Sequence, residues 1–255
     1  MELIDTHCHL TQLSKEELDA QLERAKLAGV TKVVCVGAGH GIEAAIKATE
    51  LAKSHSNLWC SVGIHPHDAK EVDSFSAIEK LAVLPRVVAI GETGLDFFRD
   101  WAPFDLQEVV FVKSIKLASK VNKPLIIHCR SAGERCLELL SLHSNPNMRG
   151  VFHCYSEDVQ YAEKIHNLGF IVSFPGSLTF KKSDELRQRS KEIPLERIML
   201  ETDSPYMAPE PYRGKASEPA HVRIIAECLA KVRGLTLEEV AAVTTSNAVK
   251  LFGLE

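Results

Sequence analysis

Apolar runs of strand length recur along the chain and alternate with amphipathic stretches of helical length. Eight such runs are rich in aliphatic and β-branched residues, and they lie near residues 2–7, 32–38, 58–64, 87–92, 124–129, 150–154, 170–174 and 198–203. Strands that alternate with helices favour a parallel sheet. Eight of them predict a sheet that closes on itself, which is a single (β/α)8 TIM barrel.

Helical periodicity fills the intervals between these runs, and capping signals mark two of the helix starts. Ser14 followed by Glu17, and Thr236 followed by Glu239, resemble capping boxes. We predict helices over residues 14–29, 41–54, 74–83, 105–121, 132–143, 157–167, 183–191, 217–233 and 236–251. The last two follow the eighth strand, so the barrel is expected to carry extra C-terminal helices.

No linker or low-complexity segment interrupts this series, so a single domain over residues 1–255 is predicted. The longest irregular stretch, residues 204–216, contains three prolines and directly follows the last strand, where a barrel places functional loops. A doubly wound sheet is the alternative fold. It usually has fewer strands and a glycine-rich phosphate loop, and the only candidate loop, residues 37–41, matches G-x-G-x-x-G poorly.

Residue types that bind metals stand at the ends of five of the strand-like runs. They are His7, His9, Glu92, His128, His153 and Asp203. A parallel barrel gathers the carboxyl ends of its strands at one mouth, so residues far apart in the chain can share one metal cluster. A single histidine of this kind is more often a hydrogen-bonded core residue. Its repetition at successive strand ends favours a metal site.

The alternation of side chains along a strand separates the candidate ligands from the neighbouring cysteines. His7 and His9 should face one way and Cys8 the other. The same parity turns Cys129 and Cys154 away from the histidines that precede them. We therefore exclude these cysteines as ligands and expect them to pack as small hydrophobes.

Carboxylates at the strand ends are expected to organise the cations. Glu92 lies midway in chain order between the His-x-His pair and the later histidines, so it is the predicted bridge. One cation would take His7, His9, Glu92 and Asp203, and the other would take Glu92, His128 and His153. Asp203 would also accept a proton from the attacking water, which makes Glu92 and Asp203 the predicted catalytic residues. Asp5 and Glu201 share the inward parity and are predicted to hold imidazole tautomers.

Mixed imidazole and carboxylate ligation suits Zn, Mn or Fe and does not exclude Mg. The predicted cofactors are two divalent metal ions, namely Mg, Mn or Zn.

Composition restricts the class of protein less than these motifs do. The chain has 45% hydrophobic and 25% charged residues and a net charge of −4, which argues against binding nucleic acid through a broad basic surface. Two bound divalent cations would offset that charge at the site. Seven cysteines without a C-x-x-C pair, no signal-peptide core and no bilayer-length apolar stretch predict a cytoplasmic, membrane-free protein, or a nuclear one in a eukaryote.

Seven segments together resemble the TatD family of metal-dependent deoxyribonucleases, within the amidohydrolase-like barrels. They are Ile-Asp-Thr-His-Cys-His-Leu, Val-Gly-Ile-His-Pro-His, Gly-Glu-Thr-Gly-Leu-Asp-Phe, Ile-Ile-His-Cys-Arg, Val-Phe-His-Cys-Tyr, Leu-Glu-Thr-Asp-Ser-Pro-Tyr and Tyr-Arg-Gly-Lys-Ala-Ser-Glu-Pro. The resemblance implies a TIM barrel, a two-metal site on the six ligands named above, and hydrolysis of DNA phosphodiesters, often from the 3′ end. Glu157, Ser217 and Ser114 depart from the family's usual residues, and none of these changes removes a ligand.

Phosphate and base contacts need residues beyond the metal ligands. The predicted substrate-binding residues are Arg130, His65, Tyr155, Arg213 and Lys215, with further aromatic residues at the mouth available to stack on unpaired bases. The predicted partner is DNA with single-stranded or frayed 3′ ends, bound by a monomer. The alternatives are a hydrolase of small amide, ester or phosphoester substrates on the same metals, and a metal-stabilised scaffold without turnover.

Overall fold

The structure, a computed structural model, describes residues 1–254 of the chain. Its strands are β1 (Leu3–Cys8), β2 (Val30–Gly37), β3 (Leu58–Val62), β4 (Val87–Asp96), β5 (Leu125–Arg130), β6 (Gly150–Phe152), β7 (Phe170–Phe174) and β8 (Ile198–Leu200). They form one sheet in chain order with parallel pairing. The predicted (β/α)8 TIM barrel is confirmed.

Helices cross over between the strands as the periodicity predicts. They are α1 (Lys15–Leu27), α2 (Gly41–Ser54), α3 (Phe75–Leu81), α4 (Phe104–Val121), α5 (Gly133–His143), α6 (Val159–Asn167), α7 (Asp184–Glu192), α8 (Val222–Arg233) and α9 (Leu237–Phe252). The capping boxes at Ser14 and Thr236 are both present. Among residues 1–254, we find no helix of the length and apolar character that crossing a membrane requires.

The strand ends differ from the prediction where the chain turns toward the candidate ligands. β6 and β8 are only three residues long. Beyond these two strands, Cys154 and Asp203 adopt left-handed backbone conformations, with φ of 50° and 54°. His153 and Asp203 therefore lie beyond the strands rather than within them. β4 is longer than predicted and continues to Asp96.

The chain divides into two compact units. The first comprises Met1–Cys35, Cys154–Ala162 and the chain from Val172 onward. Within it, the end of β1 joins the segment after β8: the Asp203 N–H donates to the His7 carbonyl at 2.9 Å and the His9 N–H to the Ser204 carbonyl at 2.6 Å. α9 packs on both β1 and β8 and buries Val240 and Leu251.

The second unit comprises Val36–His153 and Glu163–Ile171. Its strands β3 to β6 pair in succession. α4 covers β4 with a buried face that includes Val110, Phe111 and Ile115. This packing fixes the strand that carries Glu92.

Candidate metal centre

The first unit brings His7, His9 and Asp203 together. The Nε2 atoms of the two imidazoles lie 3.2 Å apart, so the predicted shared face of His7 and His9 is confirmed. Asp203 Oδ1 lies 3.7 Å from His7 Nε2 and 3.5 Å from His9 Nε2. His7 is fully buried. Two imidazole nitrogens and a carboxylate oxygen at these distances form a donor set suited to a divalent cation.

Glu92 lies at the centre of a cluster in the second unit. Its Oε1 lies 2.7 Å from His153 Nε2, 2.9 Å from His128 Nδ1 and 3.2 Å from His65 Nε2. The glutamate side chain is almost completely buried. Three imidazoles around one buried carboxylate oxygen provide the mixed nitrogen and oxygen ligands that bind Zn or Mn.

Electrostatics keep Glu92 ionised despite its burial. Burial alone would raise the pKa of Glu92, but His153, His65 and the hydrogen bond with His128 together hold that pKa well below its usual value. Burial has the largest influence on His65 and lowers its pKa to about 4, although Glu92 opposes the change. His65 is therefore neutral at pH 7 and keeps a lone pair for a ligand.

Asp96 is a part of the site that the sequence reasoning missed. Its Oδ2 lies 2.7 Å from His67 Nε2 and 3.1 Å from His128 Nε2. Burial opposes ionisation of Asp96, but the hydrogen bonds with His128 and His67 hold its pKa below the usual range. Burial likewise opposes protonation of His128, yet its hydrogen bonds with Asp96 and Glu92 raise its pKa. The sequence does contain a signal for Asp96. It lies four residues after Glu92, and residues an even number apart on a strand face the same side.

Two glycines on β4 allow this strand to approach β5 closely. Gly91 and Gly94 have φ of 145° and 138°, a region that side chains disfavour. A Cβ on Gly91 would lie 2.5 Å from the Ile126 carbonyl oxygen, and one on Gly94 would overlap the carbonyl oxygen of His128. The Gly-Glu-Thr-Gly sequence thus sets Glu92 beside His128.

Gly94→Ala should destabilise the protein by about 1–3 kcal/mol, the usual range for overpacking a tight interior. Urea denaturation followed by circular dichroism measures the change. Gly214→Ala is the matched control, because Gly214 also has positive φ but a Cβ added there would meet no atom within 4 Å. Equal losses in the two variants would show that φ alone, and not the approach to β5, requires glycine at residue 94.

Asp5 and Glu201, the two acids predicted to hold imidazole tautomers, accept hydrogen bonds from the main chain and from hydroxyl groups. The prediction for Asp5 is wrong: its carboxylate accepts hydrogen bonds from the Thr202 N–H at 2.9 Å and the Thr202 hydroxyl at 2.6 Å, and weakly from the His7 backbone N–H. Burial raises the pKa of Asp5 to about 8 despite these bonds. Glu201 accepts from the Cys154 N–H at 2.6 Å and from the Ser173 hydroxyl. Through its bonds to Thr202, Asp5 fixes the backbone next to Asp203.

The predicted substrate contacts have different environments. Arg130 is exposed, and its guanidinium lies 4.0 Å from the centre of the Phe98 ring. Arg213 is exposed above the Phe180 ring at 4.3 Å, and Lys215 is exposed in the same loop. These three cations remain available for phosphate.

Two other predicted substrate contacts are buried. Tyr155 is only 3% exposed, its ring packs against Phe174 and its hydroxyl donates to the Asp158 carbonyl. Its predicted role in stacking on a base is wrong for this conformation, because the ring has no free face. The His65 ring is also buried and turns toward Glu92, so it belongs to the cluster around Glu92 instead of the substrate surface.

A barrel with imidazole and carboxylate clusters at the carboxyl ends of its strands defines a metal-dependent hydrolase, and comparison with known proteins agrees. The family model described as TatD related DNase matches residues 4–253. An uncharacterised metal-dependent hydrolase of Escherichia coli K12, YcfH, is 36% identical over all of this chain and 97% of its own length. The crystal structure of YjjV, a TatD homologue from the same organism, superposes with a TM-score of 0.91 at 28% identity and covers 98% of each chain.

The chain belongs to the TatD-related DNase family of metal-dependent hydrolases. A further relative, from Rahnella sp. strain Y9602, is 36% identical over 96% of this chain and 95% of its own and is named a 3′-5′ ssDNA/RNA exonuclease.

Proposed function

We propose that the protein is a two-metal deoxyribonuclease that removes nucleotides from the 3′ ends of DNA. The observation that carries the proposal is the convergence of His153, His128 and His65 on one oxygen of the buried, ionised Glu92. Such a cluster has the chemistry of a cation site, because imidazole nitrogens and a carboxylate oxygen are the ligands that Zn and Mn bind.

The residues present fit two divalent cations. His7, His9 and Asp203 would hold one, His128 and His153 the other, and Glu92 would be shared between them. Asp96 accepts a hydrogen bond from one nitrogen of His128, which leaves the other nitrogen directed toward Glu92. Carboxylate partners of this kind fix the tautomer and orientation of a ligating imidazole.

Each residue then has a role in phosphodiester hydrolysis. When bound, a pair of divalent cations lowers the pKa of water and polarises the phosphodiester. Asp203 is the proposed base, because its carboxylate is only partly buried and can receive a proton from the attacking water. Arg130, Arg213 and Lys215 would bind the phosphates of the chain.

A nucleic acid substrate is favoured over a small molecule by these exposed cations and by the family. The alternative is a hydrolase of small amide, ester or phosphoester substrates on the same metals. Its support is that relatives such as YcfH are named only as metal-dependent hydrolases. Both functions use the same ligands, so the substrate distinguishes them.

The test uses 5′-labelled linear DNA that is single-stranded, 3′-overhanging or blunt, and unlabelled closed circular DNA followed by gel mobility, all in Mg²⁺ or Mn²⁺. We expect a ladder of products shortened from the 3′ end, fastest on single strands. Arg213→Ala with Lys215→Ala should weaken binding alike for unrelated sequences, because phosphate contacts carry no sequence information. Efficient cutting of circles would contradict the end-directed mode, and turnover of small esters without DNA cleavage would establish the alternative.

A further inference from the structure

The loop between β4 and α4 exposes an unusual concentration of aromatic surface. Phe98 is 60% exposed, Trp101 55% and Phe104, the first residue of α4, 45%. Aromatic residues make up only 6% of the chain. Contiguous exposed apolar surface on a protein usually marks a binding site.

Cations lie over the rings of this loop. The Arg130 guanidinium is 4.0 Å from the centre of the Phe98 ring. Arg99 is 5.5 Å from the same ring and 5.2 Å from the centre of the Trp101 ring. Arginine stacked on an aromatic face presents a flat cationic surface, which binds phosphate and also stacks on a base.

Hydrogen bonds connect the loop to the metal-ligand cluster. Asp96 Oδ1 accepts from the N–H groups of Phe98 and Arg99 at 3.0 Å each, while its Oδ2 faces His67 and His128. The side chain of Gln107 accepts from the Asp96 N–H at 2.8 Å and donates to the Ala102 carbonyl at 3.0 Å. The loop is therefore held at both ends, beside the histidine proposed to bind metal.

Trp101 is positioned by the same cluster. Its ring packs edge-on against His67, with 4.4 Å between centroids, and His67 in turn bonds to Asp96. One side of the indole is thus supported, yet more than half of the residue stays exposed. A supported and exposed ring is suited to stacking because it loses little conformational freedom on binding.

We propose that Phe98 and Trp101, with Arg99 and Arg130, form a stacking surface for an unpaired base adjacent to the phosphodiester that is cleaved. This inference rests on the proposed nuclease function. In it, the loop between β4 and α4 is the part of the chain that selects single-stranded ends. The ligand is a flexible, anionic strand with free bases, because the surface combines ring faces with guanidinium groups. Stacking of this kind tolerates any base, since every base has a π-face.

The test combines substitution of the loop with removal of the base. Wild-type protein and Trp101→Ala, Phe98→Ala and double variants are assayed on a single-stranded oligonucleotide and on copies with one abasic residue at the last, second or third 3′ position. We expect an abasic residue at one position to lower kcat/KM of the wild type by about 5- to 150-fold, the range for loss of one base stack. The double variant should show the same loss on the normal strand and no further loss on the abasic one.

Leu142→Ala is the control, because it removes a side chain of 66% exposure from the last turn of α5. It should leave both substrates unchanged, and thermal melts verify that every variant folds. The proposal would be overturned if the double variant lost as much kcat/KM on the abasic strand as on the normal one. The loop and the base would then make separate contacts.

Binding provides a readout that does not depend on cleavage. The chain has two tryptophans, and Trp59 is only 8% exposed. Oligonucleotide binding should quench the fluorescence of Trp101, and Trp101→Phe should abolish that quenching. Quenching without cleavage would refute the nuclease but not the stacking surface, whereas cleavage without quenching would refute the surface alone.

Discussion

Removal of divalent cations should reduce DNA hydrolysis to the uncatalysed background, and Mg²⁺ or Mn²⁺ should restore it. The reason lies in the donor set: Glu92, with His153 and His128 at 2.7 and 2.9 Å, provides ligands but no group that activates water by itself. The measurement is cleavage of a 3′-labelled oligonucleotide after chelation and dialysis, with metal content determined by plasma mass spectrometry.

Glu92→Gln distinguishes a shared ligand from an ordinary one. The amide keeps the shape but loses the charge, so this variant should retain fewer metal ions per chain than the wild type. Lys164→Gln is a matched surface control, because Lys164 pairs with Glu134 at the surface and should not alter metal content. Full cleavage by protein with no measurable metal, or normal metal content in Glu92→Gln, would contradict the two-metal site.

Asp203→Asn should reduce the turnover number by about 100- to 10,000-fold while DNA binding changes little. This is the usual effect of losing a positioned general base. Asparagine also tolerates the left-handed conformation that Asp203 adopts, with φ of 54°, so the turn should survive the substitution. Single-turnover cleavage and fluorescence anisotropy measure the two quantities separately.

An equal loss of binding and turnover in Asp203→Asn would assign Asp203 to substrate affinity rather than to proton transfer. Asp203→Ala provides the comparison, because it removes both the charge and the ability to contact a cation. It should lower metal affinity as well as rate. Near-normal turnover in either variant would exclude Asp203 as the base.

The barrel and most of its elements could be predicted because the signals are local. Apolar runs with intervening amphipathic segments define the strands and helices, and parity places His7 and His9 on one face. The predicted strand ends at residue 92, whereas β4 continues past Gly94 to Asp96, and glycine normally weakens a strand. Gly91 and Gly94 are required by the close approach of β4 to β5. That approach depends on tertiary contacts, which a local sequence pattern does not predict. The missed Asp96 follows from this truncation.

Contacts of the aromatic and histidine side chains were less predictable for the same reason. Tyr155 follows a strand end and suggests an exposed ring, but its backbone N–H bonds to Ser173 and the ring packs inward on Phe174. His65 follows a strand as well, yet the turn that starts at Pro66 directs its ring to Glu92. Parity determines the face of a strand residue, but the direction of a loop residue depends on partners distant in sequence.

Main-chain hydrogen bonds between β1 and the segment after β8 hold the candidate ligands in place without using their side chains. The bonds from Asp203 N–H to the His7 carbonyl and from His9 N–H to the Ser204 carbonyl use no ligand side chain, and Asp5 secures Thr202 independently. A substitution at His7, His9 or Asp203 therefore alters the donor atoms without removing the bonds that space them. Over evolutionary time, such an arrangement would let a lineage exchange one ligand for another, and with it the preferred cation, while the barrel stays intact.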